Sequence, residues 1–129
     1  MPCPACGSPS VAFVVPDAYR ACVPGSHGTV SLCTTCLSLD PVEEAPPDPA
    51  FDALGTAFPD DPEVAIPLAL LVGLLGNLAT YRAEITQLLE AVERAGVDPL
   101  LVLDRLAAEP SIETDVDLAR RRHQLEQLL

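Results

Sequence analysis

Five cysteines carry the chemistry visible in this sequence: Cys3, Cys6, Cys22, Cys33 and Cys36. Four of them form two pairs, Cys3-Pro4-Ala5-Cys6-Gly7 and Cys33-Thr34-Thr35-Cys36-Leu37. A gap of two residues lets one tight turn aim both thiolates of a pair at a single ion, with backbone N–H groups of the turn directed at sulfur. Gly7 suits the turn because the residue after the second cysteine often needs positive φ, and Pro4 presets φ at the first corner. Two such knuckles at this spacing specify tetrahedral coordination by four thiolates, so Cys3, Cys6, Cys33 and Cys36 are the expected metal ligands. Four thiolates leave no position for water, which makes the ion structural rather than catalytic. Cys22 then reads as a small half-buried apolar residue. His27, in Pro24-Gly25-Ser26-His27-Gly28, reads as a solvated turn residue.

Zn2+ is the expected ion. Iron is the rival, since all-thiolate tetrahedral geometry fits both metals. Rubredoxins also use two CxxC knuckles, but with Gly after each and an aromatic core. Here Leu37 follows the second knuckle and aromatic residues are 4% of the chain.

The elements that must position the thiols follow from the 26 residues between the pairs, enough for two strands and a connection. Val11–Val15 and Thr29–Leu32 are the strand candidates. A segment of forty residues without Trp is too small to hold itself together, and metals or disulfides normally supply what is missing. The predicted fold class is α+β: an N-terminal zinc ribbon over 1–39 with short antiparallel strands, an acidic Pro-rich connector over 40–61, and a helical module of three to four helices over 62–129.

Charge marks the same divisions. Residues 1–39 hold one acid and one base; 40–63 hold eight acids and no base; 64–129 hold ten acids and six Arg. Five prolines disfavour regular structure in the connector, where Phe51, Leu54 and Phe58 are expected to form a short turn packed on a neighbouring module, with a docking motif for a partner as the alternative. In the helical module, Asp61 is the predicted N-cap with Pro62 at the first helical position. Leu71, Leu75, Leu78, Tyr81, Ile85, Leu88 and Val92 keep one helical phase, which fits one long helix or two end to end, with Gly73, Gly76 and Asn77 as the point of a break. Gly96 stops this helix, Asp98-Pro99 opens another, and Asp115 or Asp117 caps the last. Val64–Leu75 is apolar around most of its circumference, so a protein partner, a second copy meeting Leu68, Leu71 and Leu75, or contact with the ribbon is expected to cover it, the alternative being a central bundle helix in a monomer.

The net charge of −12, with 19 acids, seven Arg and no Lys, makes a broad nucleic-acid footprint improbable. Arg120, Arg121 and Arg122 form the one basic cluster. Pairing of Asp117 with Arg121 and of Arg122 with Glu126 at i,i+4 explains much of it, with phosphate contact as the alternative. Self-repulsion of this size is costly at low salt and is screened at molar salt, as in a salt-in halophile; a GC-rich genome encoding an ordinary acidic protein is the plainer source. The N-terminal residues show no basic and apolar leader pattern. The longest uncharged run, Val64–Tyr81, is too short and too interrupted for a membrane span. A cytoplasmic location is expected, where paired cysteines more often hold metal than form disulfides.

The motifs CPACG, CTTCL, ALLVGLLGNLATYR, ERAGVDPLLVLDRLAAEP and DLARRRHQLEQLL give the chain a resemblance to a family of small zinc-ribbon proteins from halophilic archaea. The resemblance covers most of the chain, least so in the connector. It implies a metal site at Cys3, Cys6, Cys33 and Cys36 and no assigned activity. The residues favour a zinc-binding, non-enzymatic adaptor. Alternatives are an accessory factor in transcription, translation or nucleic-acid handling, and a rubredoxin-like electron carrier. An enzyme fits least: the sequence has no nucleophile motif and no glycine-rich phosphate loop, and its histidines are His27 and His123.

Overall fold

A computed structural model describes residues 2–129. Its described residues form an α+β fold in which a three-stranded antiparallel sheet precedes four α-helices. Strands β1 (Ser10–Val14), β2 (Thr29–Cys33) and β3 (Leu39–Pro41) lie in the order β1-β2-β3. The register pairs Val11 with Leu32 and Phe13 with Val30, which puts four buried apolar side chains in the sheet. Period-2 alternation turns Val14 outward. The third strand went unpredicted. It crosses the boundary expected at residue 39, which rests on a charge shift rather than on a structural break. Leu39-Asp40-Pro41 is too short to show alternation, and Pro41 sits where an edge strand tolerates it.

The helices are α1 (Pro62–Leu74), α2 (Arg82–Arg94), α3 (Pro99–Ala107) and α4 (Leu118–Glu126). Three start at aspartate caps. The Asp61 side chain accepts from the N–H of Glu63, Asp98 from those of Leu100 and Leu101, and Asp117 from that of Arg120. Asp117, not Asp115, is therefore the last cap. Each satisfies a donor that the first turn leaves open, worth about 1 kcal/mol per cap.

The periodic run across residues 71–92 is neither one helix nor two stacked end to end. A 3-10 turn at Leu75–Asn77 interrupts it, and the chain folds back, so that Pro62 and Glu63 at the start of α1 lie beside Ala91 and Arg94 near the end of α2. An antiparallel hairpin preserves the helical phase as well as a straight rod does, so periodicity alone could not separate them.

The hairpin and the sheet enclose the apolar segment Val64–Leu75, as expected if the ribbon covers it or if it is a central helix. Leu68, Leu71 and Leu75 are each 0% exposed, and α1 packs against α2 on one side and against β2 and β3 on another. An all-round apolar helix has to be central, and here sheet and helix both cover it.

Phe51, Leu54 and Phe58 are all buried. A short 3-10 turn at Phe51–Leu54 presents the first two, and the Phe51 ring stands 5.5 Å from that of Phe13 and 6.2 Å from that of Phe58. Residues from β1, β2, this turn and all four helices belong to one hydrophobic cluster. The sheet lies close against the helices at Gly73, where an added Cβ would sit 2.7 Å from the Leu39 Cβ. Only a residue without a side chain lets β3 lie that near α1. No helix of the described residues is long and apolar enough to cross a membrane.

Candidate metal centre

The first knuckle precedes β1 and the second follows β2. Because β1 and β2 are antiparallel, with Ser10 opposite Cys33, the two knuckles meet at the same end of the sheet. They fold alike. In the first, the Cys3 N–H donates to the Ser8 carbonyl at 2.8 Å; in the second, the Cys33 N–H donates to the Ser38 carbonyl at 3.0 Å. Gly7 has φ 78° and Leu37, the equivalent residue, has φ 61°. A left-handed backbone costs a leucine about 1–2 kcal/mol. Leu37 is 4% exposed, and full burial of such a side chain returns about 1.5–3 kcal/mol. Leucine in place of a second glycine thus leaves the knuckle geometry intact, which removes that contrast as an argument between zinc and iron. The Thr34 N–H and hydroxyl both donate to the Pro9 carbonyl, at 3.0 and 2.8 Å, and tie one knuckle to the other.

The Sγ atoms of Cys3, Cys6, Cys33 and Cys36 all lie within 4.8 Å of one another. Two pairs meet across the knuckles, Cys3–Cys36 at 3.6 Å and Cys6–Cys33 at 3.5 Å. These separations exclude disulfides, whose sulfurs are about 2.05 Å apart. A tetrahedral ion with Zn–S bonds of about 2.3 Å requires sulfurs about 3.8 Å apart, so the four thiols fit such an ion with little adjustment. Backbone N–H groups face the sulfurs as the knuckle turns require. Ala5 donates to Cys3 Sγ, and Thr35 and Cys36 both donate to Cys33 Sγ, each at 3.4 Å.

The thiols differ in setting. Cys3 and Cys33 are 3% and 1% exposed, Cys6 is exposed and Cys36 intermediate. The Ser38 hydroxyl beside Cys3 is the main cause that lowers its pKa to about 6. Hydrogen bonds from Ser8, backbone first, hold Cys6 below the ordinary thiol value. Burial pushes Cys33 up to about 12. A dication among these groups would supply the counter-charge that Cys33 lacks and take all four as thiolates.

Cys6 and Cys36 open onto a cleft of about 400 Å³ whose far wall includes Gly73, Glu113 and Asp115. The loop between α3 and α4 reaches the second knuckle there, the Glu113 N–H donating to the Thr35 carbonyl at 2.8 Å. The remaining candidates lie elsewhere. Cys22 is part of the hydrophobic cluster, where burial, and to a lesser degree Glu84, raises its pKa. His27 is exposed. Of the basic cluster, Arg122 pairs with Glu126 as expected and also reaches Asp104 on α3 at 2.8 Å. Arg121 donates to Gln124 Oε1 at 2.8 Å, not to Asp117, whose carboxylate is occupied at the helix cap. Sequence reading missed Ser8 and Ser38. Their signal was the repeat of serine two places after the second cysteine, CPACGS against CTTCLS.

The chain matches the model of a family of unknown function (DUF6276) over residues 2–129 and belongs to that family. No curated protein and no solved structure matches it.

Proposed function

We propose that this member of the family is a zinc-binding, non-enzymatic adaptor, in which one ion fixes the ribbon end of the sheet so that the surface can hold another macromolecule. The observation that carries the reading is the convergence of four thiols, all within 4.8 Å, from two knuckles folded alike. Zinc is the ion assigned because closed four-thiolate zinc sites stabilise small folds outright. Elemental analysis of the purified chain is expected to find about one zinc per molecule, and the protein is colourless when made with iron available. A visible absorption band that bleaches with dithionite would instead establish an iron centre and the electron-carrier reading. Absence of any stoichiometric metal would end the proposal.

Adaptation to molar salt accounts for the acidic, lysine-free surface. Among the described residues, ion pairs reach Asp17, Asp104 and Glu126 alone of the 19 acids, so few of the carboxylates have a cation beside them. Screening shortens the Debye length to about 3 Å at 1 M salt and relieves their mutual repulsion. The melting temperature is therefore expected to rise from low salt to molar KCl. A flat or falling profile would refute the halophilic origin.

A further inference from the structure

We propose that Ser38 is a positioning residue of the metal centre, its hydroxyl donating to the sulfur pair formed by Cys3 of one knuckle and Cys36 of the other. The inference rests on the metal-binding reading and deepens it.

Ser38 occupies the turn between Cys36 and β3 and is half-buried. Its Oγ lies 3.2 Å from Cys3 Sγ and 3.3 Å from Cys36 Sγ. These sulfurs are 3.6 Å apart and belong to different knuckles, so one hydroxyl spans the junction that the ion must close. On its other side, Ser38 Oγ is 3.3 Å from Asp40 Oδ2. With protonated thiols the chain of donors is complete: Cys36 S–H donates to Ser38, and Ser38 donates to Asp40. An ion takes the protons from both sulfurs. They then become acceptors only, and the one hydroxyl proton of Ser38 has three acceptors around it. A hydroxyl rotates freely, and turning its proton from the carboxylate to the sulfur pair places a donor where two anionic sulfurs are held together. The Asp40 carboxylate, intermediate in exposure, keeps water as a partner. The Ser8 carbonyl and the Ser38 carbonyl hold the cysteine backbones in the same way, but Ser38 alone among the described residues has a hydroxyl hydrogen-bonded to sulfurs of both knuckles.

Groups that hydrogen-bond to metal ligands typically change affinity by about 10–100-fold when removed. The test uses the full chain as wild type, Ser38→Ala and Ser38→Thr, with Zn2+ affinity measured against a competing chelator and the sulfur-to-metal charge-transfer band recorded with Co2+. Ser38→Ala is expected to bind zinc about 10–100-fold more weakly and to move the cobalt band to lower energy, because a hydrogen bond stabilises the sulfur lone pair that donates the electron. Ser38→Thr keeps the hydroxyl and restores both. A general loosening of the turn would weaken affinity in Ser38→Thr as well, and that result overturns the inference. So does a Ser38→Ala chain with wild-type affinity and band position. If the wild type binds neither ion, the metal reading itself fails and this inference falls with it.

Discussion

Cys33→Ser loses the ion and unfolds the ribbon end of the sheet. Cys33 closes β2, its N–H is bonded to the Ser38 carbonyl, and its sulfur receives two backbone N–H groups. It is the most deeply placed of the four thiols, at 1% exposure. Serine in its place offers a hydroxyl that stays protonated near neutral pH and is a poor partner for a thiophilic ion. Apparent binding free energies of structural zinc in small peptides are about 10–16 kcal/mol and are folding free energy in the same measure. Loss of one ligand in four removes enough of that to unseat the metal from a ribbon that lacks a large core of its own. Zinc content is expected to fall from about one per chain to near zero, with loss of strand signal in circular dichroism. Cys22→Ser is the control. It leaves a hydroxyl in an apolar core at a cost of about 1–3 kcal/mol, yet it keeps the zinc. A Cys33→Ser protein with full zinc content would refute the ligand assignment.

Phe51→Ala destabilises the ribbon and the helices together. The Phe51 ring is 2% exposed and stands between Phe13 of β1 and Phe58. Removal of a buried phenyl ring costs about 3–5 kcal/mol, a drop of roughly ten degrees or more in melting temperature for a chain of this size. Since sheet, turn and helices share one cluster, strand and helix signals are expected to melt in a single transition that moves as a whole. Two transitions, with only one displaced, would show that the ribbon and the helices unfold separately.

The cluster of four cysteines is readable from the sequence because its information is local. Each CxxC turn is written within six residues, and the antiparallel pairing that joins the turns needs only two short apolar runs. The aspartate caps were readable for the same reason. What was not readable depended on residues far apart in the chain. Leu39 against Gly73, Phe51 against Phe13 and the Glu113 N–H on Thr35 are pairings that no periodicity encodes. The cover of α1 is of the same kind: periodicity marks the helix as apolar all round, but does not say that β2, β3 and α2 are the elements that enclose it. Leu37 is a different case, because a left-handed leucine runs against local preference and becomes legible only once its buried side chain is seen.

Because that core is shared, the molecule acquires an order in time as it leaves a ribosome. All four thiols emerge between Cys3 and Cys36, together with both strands that hold them, so the site for the ion is complete while the inner face of the sheet is still bare. Phe51 and the leucines of α1 arrive next and cover that face. The bond from Glu113 to the Thr35 carbonyl waits for the last third of the chain. N-terminal parts generally fold first during synthesis, and here the part that emerges before the helices carries an apolar face not yet covered. An ion captured at that stage would hold β1 and β2 in register until their cover is made.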